Sequence, residues 1–288
     1  MKAGLSIHRA LAVTGLGAAI VLSSCGRRDA GTTIKINGSD TMLQLGLAWQ
    51  TAYKEVKPDI IISMNGEGSG VGLKALINGE IDLAHSSRPI QESEIKQIKE
   101  KFGKDPKEII FGYDRLAVYV HKDNPINELT MEQLKGIFAE GGTIDDWSAI
   151  DPSMSGAIVR CSRSNTSGTY SFFKDAVCGK GVEFKSGATS MAGSAAAVDF
   201  VKTNKDAIGY SGMGYKTDGV KWLKITKDGS GCDPTGDNYP IARTLFAYTV
   251  GEPTGALKDY VDWCHGDAAQ AILEKEKFIP MPADQRNK

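Results

Sequence analysis

The sequence predicts an α/β protein of two lobes, each a parallel sheet covered by helices. Two observations carry that reading. A strand, a polar turn and a helix follow one another three times before residue 103 and once more in the second half. The chain that remains after an N-terminal address is 264 of 288 residues long, enough for one large domain or two of ordinary size. There is also no repeat of solenoid period and no low-complexity run to suggest another architecture.

Taken in order, the first element is the address. Lys2 and Arg9 form a positive start and Ala10 to Leu22 an apolar stretch. That stretch is shorter than the roughly 20 apolar residues of a permanent span. The ending Leu22-Ser23-Ser24-Cys25 resembles a bacterial lipoprotein box, with an ordinary signal peptide and an incidental cysteine as the plainer alternative. We therefore expect residues 1–24 to be a signal peptide, Cys25 to be the lipidated first residue, and residues 25–31 to be a tether to a bilayer. Gly26 and Arg27 carry no aspartate retention signal, which leaves inner and outer membrane equally open.

The strand-like "TTIKING" then runs into Gly38-Ser39-Asp40-Thr41 and the helical "MLQLGLAWQTAYKEV". "DIIISMNGEGSG" leads to a helix "VGLKALINGE" stopped at Gly79, and "IDLAHSSRPI" leads to the charged helix "QESEIKQIKEKF". "EIIFGYDRLAVYVHK" is the next β-rich stretch, followed by the short helix "MEQLKGIFAE". In the second half, "AIVRCSRSNTSGTYSFFKDAV" repeats the syntax, "AIGYSGMGY" and "YPIARTLFAYTV" read as strands, and "ALKDYVDWCHGDAAQAILEKEKF" as one or two helices.

Composition excludes several functions. Loss of Lys2 and Arg9 moves the formal charge from −1 to −3, so nucleic acid and anionic membrane surfaces are poor partners. Cys161, Cys178, Cys232 and Cys264 contain no C-x-x-C pair for zinc. In an oxidising setting they allow one or two disulfides, with free buried thiols as the alternative. His85, His121 and His265 lack metal-ligand spacing and read as surface or hydrogen-bonded residues. No cofactor is implied.

Three turns share one chemistry: Gly38-Ser39-Asp40-Thr41, Gly66-Glu67-Gly68-Ser69-Gly70 and Thr166-Ser167-Gly168-Thr169. Each delivers hydroxyls and backbone N–H groups to a helix start, where about half a positive charge attracts anions. Any one of them could simply be a helix cap. Arg163, four residues before Ser167, and Arg88, beside Ser87 in the turn after the third strand, add guanidinium forks suited to an oxyanion. Enzyme motifs fail on the same residues. There is no GxSxG elbow, since Glu67 and Asn37 precede Ser69 and Ser39 by two, and neither GxGxxG nor a Walker lysine motif is complete.

"GSDTM", "GEGSGVGLKALINGEIDLAHSSRP", "RSNTSGTYSFF", "AIGY" and "YPIARTLFAYT" together resemble the substrate-binding lipoprotein of the bacterial high-affinity ABC phosphate importer. "LKGIFAEGGTIDDWSAI" and the closing "GALKDYVDWCHGDAAQAILEKEKFIP" are similar to it as well, so the likeness runs in order over nearly the whole mature chain. It implies a two-lobe periplasmic binding protein of class II type, with mixed, mostly parallel sheets and two crossing strands. The expected first lobe is 32–113 plus 244–288, and the second is 114–243. The implied protein is a monomer on the periplasmic or cell-surface face of a membrane. It would capture inorganic phosphate and hand it to ABC permease membrane subunits.

By position, Arg163, Ser167, Gly168 and Thr169 match the family's Arg-x-x-x-Ser-Gly-Thr anion loop. Ser69, with Gly70, matches its glycine-rich turn, and Thr41 with Met42 the first helix start, beside Ser39 and Asp40. Ser87 and Arg88 complete the expected phosphate-binding set. The longer members carry, in the loop matching "HSSRP", an aspartate that accepts a proton from phosphate; here Arg88 stands nearby, and Asp40 is the candidate replacement, against a role as N-cap only. Alternatives are the same fold on sulfate, molybdate or tungstate, a phosphomonoesterase, and an adhesion or sensing protein with a vestigial site. Arg160 has no counterpart in the matched loop and reads as structural.

Overall fold

The computed structural model describes residues 32–286. The expected signal peptide, the tether and the lipidation site Cys25 lie outside the described residues.

Three short parallel strands begin the first lobe: β1 (Thr33–Gly38), β2 (Ile61–Met64) and β3 (Leu83–Ser86), with β1 in the middle. Each is followed by a helix, α1 (Leu43–Val56), α2 (Ser69–Asn78) and α3 (Glu92–Phe102). Helix α2 ends on Gly79 with a left-handed φ of 74°, the stop that this glycine predicts.

The long strand β4 (Pro106–His121) then leaves the first lobe for the second. The second lobe contributes β5 (Glu128–Thr130), α4 (Met131–Phe138), β6 (Val159–Arg163), α5 (Gly168–Phe173) with a π-helical turn at Lys174–Cys178, β7 (Thr189–Met191), α6 (Ser194–Thr203) and β8 (Ala207–Gly212). Strands β9 (Val220–Trp222), β10 (Lys224–Lys227) and β11 (Ser230–Cys232) follow, and β12 (Ala242–Val250) leads back to α7 (Gly255–His265) and α8 (Asp267–Lys275) in the first lobe.

The principal sheet runs β2-β1-β3-β12-β4-β8-β6-β7, with β9 also on β4, while β11-β10-β5 form a small separate sheet. Strand β4 pairs antiparallel with β12 as far as Arg115 and with β8 from Leu116 onward. Its side chains explain why residues 116–120 are all buried. Leu116, Val118 and Val120 enter one core with Phe138, Trp147 and Tyr210, whereas Ala117 and Tyr119 enter another beneath α6. A sheet covered on both faces reads as a continuous apolar run. The first lobe is built alike, with Trp49, Tyr53 and Tyr260 on one face and Leu73, Ile98 and Tyr248 on the other.

Periodicity located the long elements. It gave no sign of the three-residue strands β5, β7, β9 and β11, because strands this short complete too few alternations, nor of the alanine-rich helix α6. The C-terminal stretch is two helices broken at Gly266, whose extended backbone interrupts the helical run.

Of the two readings of the cysteines, the disulfide one fails: Cys161, Cys178, Cys232 and Cys264 are free thiols. Three lie in cores, and burial raises Cys161 to about 12 and Cys178 to about 11. In a Cys25→Ser chain, a thiol reagent is expected to titrate Cys232 quickly and the other three only after denaturation; fast reaction of a second thiol contradicts this packing.

His85 also departs from the surface or hydrogen-bonded role. It lies on β3, 2% exposed, edge-on to Phe111 at 5.8 Å, and its Nε2 has no partner. Burial lowers its imidazole from 6.5 to about 4, so the folded state resists protonation that the unfolded chain accepts. This contribution is complete above pH 6.5 and is lost as pH falls to about 4, by about 3 kcal/mol in total. Denaturant titrations of wild type and His85→Leu between pH 7 and 4 measure it; equal slopes in both proteins would refute it.

Candidate anion site between the lobes

The polar turns converge because the sheet brings strand ends together. At the end of β1, Gly38 has φ 141°, and a Cβ there would lie 2.0 Å from the His85 carbonyl oxygen, so only glycine lets β1 and β3 approach this closely. Ser39 N–H donates to that same carbonyl at 2.8 Å, and Gly68 N–H donates to the Gly38 carbonyl at 2.7 Å. The first two turns are therefore fixed to each other and to the end of β3.

Three serines meet there, all 3% exposed or less. Ser39 Oγ donates to Ser87 Oγ at 2.9 Å, Ser69 and Ser87 hydroxyls stand 3.3 Å apart, and Ser87 N–H donates to Ser69 Oγ at 3.0 Å. From the second lobe, Thr169 shares a 2.8 Å hydrogen bond with Thr41. Gly168 faces the serines so closely that a Cβ on it would lie 2.3 Å from Ser69 Oγ and 2.6 Å from Ser87 Oγ. Gly70 N–H donates across the cleft to the Thr166 carbonyl at 2.9 Å.

Beneath this cluster lies an ion pair on the crossing strands. Asp114 of β4 and Arg243 of β12 are cross-strand partners, with side chains 0% and 2% exposed. Arg243 donates through Nε and Nη2 to Asp114 Oδ2 at 3.0 and 2.7 Å. Its remaining donors reach Thr41 Oγ1 at 3.2 Å, Thr169 Oγ1 at 3.1 Å and the Ser87 carbonyl at 3.2 Å. Asp114 Oδ1 is buried with no partner. Burial raises the Asp114 carboxyl above its ordinary range, and the Arg243 charge pulls it back.

Arg163 forms the far wall, donating to Ser194 Oγ at 2.8 Å, Asp40 Oδ1 at 3.0 Å and the Ala192 carbonyl at 3.1 Å, with its buried Nε unpartnered. Asp40 is not an N-cap: the helical turn it opens has no side-chain cap, and its carboxylate reaches across the cleft to Arg163 and the Ser194 N–H.

The chain matches a PBP superfamily domain over residues 25–268. It is 31% identical over 273 residues to the phosphate-binding protein PstS of Pseudomonas aeruginosa, covering 85% of this chain and 82% of that protein. It is 32% identical over 269 residues to PstS of Staphylococcus epidermidis, covering 85% and 79% respectively. The chain belongs to the PstS family of phosphate-binding proteins. A crystal structure described as a phosphate ABC transporter substrate-binding protein of Clostridium perfringens, with bound phosphate, shares the family's fold with this chain at a TM-score of 0.78 and 29% identity, over 87% of this chain and 100% of that one. An ABC-type phosphate transport receptor of Vibrio cholerae shares the fold at a TM-score of 0.68 and 24% identity, over 86% and 100%. This is a family of binding proteins and not of enzymes. The serine hydroxyls of the site are partnered by one another.

The expected residues divide into three groups. Ser39, Thr41, Ser69, Ser87, Arg163, Gly168 and Thr169 converge on the site. Ser167 is nearby but its hydroxyl caps α5, accepting from Thr169 and Tyr170 N–H at 3.2 and 3.4 Å, while Met42 packs in the first-lobe core and Gly70 supplies the cross-cleft backbone bond. Arg88 holds Glu94 at 2.9 and 2.7 Å, which ties the turn after β3 to the capping box of α3. Arg160 pairs with Asp145 at 2.9 Å on the exposed flank, in keeping with a structural role.

Asp114, Arg243, Ser194 and Tyr215 were not singled out by the sequence reading. A signal for the first two existed. Asp114 is two residues before Leu116 and Arg243 two before Leu245, so strand alternation puts each charge on a face with core residues. Two buried opposite charges on neighbouring strands are expected to pair.

Gly168→Ala tests the closeness of the walls. The added methyl cannot fit beside Ser69 and Ser87 with the lobes shut, so small-angle scattering should show a more extended molecule at an almost unchanged unfolding midpoint. An unaltered scattering profile would contradict the geometry.

Proposed function

We propose that this protein is an extracytoplasmic receptor that closes its two lobes on one inorganic phosphate ion and delivers it to the membrane subunits of an ABC permease. The observation that carries this reading is the buried junction of neutral hydroxyls, two arginines and a single unpartnered carboxylate oxygen. Ser39, Thr41, Ser69, Ser87 and Thr169 supply hydroxyl donors, Arg163 and Arg243 supply charge, and Gly168 admits the ligand against the α5 backbone. The first lobe is taken as residues 32–113 plus 244–288 and the second as 114–243, so the chain crosses between them within β4 and β12. Acylated Cys25 tethers the protein to the bilayer, and it works as a single chain. Binding involves no covalent step and no cofactor.

Asp114 is assigned the role first considered for Asp40. Its Oδ1 accepts no hydrogen bond within the protein, whereas Asp40 is engaged by Arg163 and Ser194. A protonated phosphate oxygen can donate to Asp114 Oδ1. Sulfate, fully ionised, would face it with an oxygen and leave both acceptors unpaired in a buried site. This places discrimination on the hinge strand, next to the arginine that binds the same ion.

Calorimetry of the mature protein tests the assignment. One phosphate per chain is expected, with sulfate far weaker. Arg163→Ala should weaken phosphate at least ~100-fold, the scale for truncating a buried, hydrogen-bonded charge partner. Arg160→Ala should be nearly neutral, and Asp114→Asn should narrow the gap between phosphate and sulfate. Sulfate binding as tight as phosphate in the wild type, or no phosphate heat at all, would refute the assignment.

A further inference from the structure

The phosphate site contains two Arg–Asp pairs that differ in one respect. Asp114 and Arg243 lie on neighbouring crossing strands and can stay paired however the lobes move. Asp40 and Arg163 belong to opposite lobes, at the end of β1 and the end of β6, and meet at 3.0 Å with side chains 18% and 1% exposed. That pair exists only while the cleft is shut.

Asp40 collects more of the closed geometry than its single charge suggests. Its Oδ1 accepts from Arg163 Nη2 and, at 2.6 Å, from the Ser194 N–H at the start of α6. Its own carbonyl accepts from the Tyr215 hydroxyl at 3.0 Å, and the same hydroxyl lies 3.2 Å from the Thr41 carbonyl. Tyr215 is itself 9% exposed and packs with Ala197 and Val198 of the second-lobe core. One residue of the first lobe is thus held by a guanidinium, a backbone N–H and a phenol, all from the second.

The same contacts orient Arg163. Asp40, Ser194 and Ala192 occupy its two terminal nitrogens, and its buried Nε is left without a partner. A guanidinium held on one edge presents the other in a fixed direction, which lowers the entropy lost on binding an anion.

We infer that Asp40 is an interlobe latch and a positioning residue for Arg163, and that Tyr215 is its second arm. This rests on the phosphate-receptor reading. Asp40 does not bind the anion. It completes the orientation of Arg163 only as the lobes meet, so that closure and formation of the donor set are one event, and it slows reopening afterwards. The pairs also balance each arginine with one carboxylate, which leaves the ligand held chiefly by oriented donors rather than by excess positive charge.

The test separates closure from binding. Spin labels on Thr51→Cys of α1 and Asp199→Cys of α6, in a Cys25→Ser, Cys232→Ser background, report the lobe-to-lobe distance with and without phosphate. Stopped-flow fluorescence gives phosphate association and release rates. Asp40→Ala and Tyr215→Phe should each shift the distances toward longer values and speed release at least ~10-fold, with association changed less than about two-fold. Asp40→Asn, which keeps an acceptor but not the charge, should fall between wild type and Asp40→Ala. Unchanged distances and release in Asp40→Ala overturn the latch, as does a loss confined to the association rate and unfolding midpoint. Absence of phosphate binding in the wild type, with the distance shift intact, overturns the phosphate assignment and leaves the latch standing.

Discussion

The buried pair between Asp114 and Arg243 is the interaction on which the site depends. Both charges are withdrawn from water at the place where the chain crosses between lobes, and neither could remain there alone, because an unpaired charge in a low-dielectric interior costs several kcal/mol. Paired on adjacent strands, they hold each other in register. The remaining donors of Arg243 then reach Thr41, Ser87 and Thr169, so residues from two turns of the first lobe and one of the second are organised around a single guanidinium. The hinge is thereby also the floor of the site.

This arrangement accounts for the rest of the architecture. Short parallel strands end in polar turns on one edge of each lobe, the position where open α/β sheets present ligands. The β4 and β12 connections bring the two edges face to face; glycine at 168 removes the side chain that would keep them apart, and glycine at 38 lets β1 and β3 approach within the first lobe. The walls are lined with hydroxyls, which donate without adding net charge, while each arginine already has a carboxylate partner. A site of this kind holds an anion by replacing its water shell with oriented dipoles, and the selectivity proposed above rests on the one carboxylate oxygen without a partner in the protein.

The two aspartates show how position governs role. Asp40 and Asp114 are chemically the same group, each hydrogen-bonded to an arginine near the site. One partner is across a moving cleft and the other is along a continuous sheet. The first pair can respond to closure, and the second gives the hinge strands a constant electrostatic centre. Arg163 and Arg243 differ for the same reason, and Arg160 and Arg88 face Asp145 and Glu94 within their own lobes.

The sequence by itself determined the long elements, the three polar turns and the anion loop from Arg163 to Thr169, because these depend on local periodicity, capping residues and glycine, all of which act within a few positions. It also determined the family. Tertiary structure decided what each polar group faces. Asp40 faces a guanidinium 123 residues away in the chain, and Arg88 faces Glu94, partners that no local pattern specifies. Asp114 and Arg243 lie 129 residues apart and become a pair only through strand register. Hydrogen bonds and ion pairs are made between atoms within about 3 Å, and chain-local patterns specify such distances only within an element. Partnership across the cleft, and with it the division between ligand, support and latch, had to come from the fold.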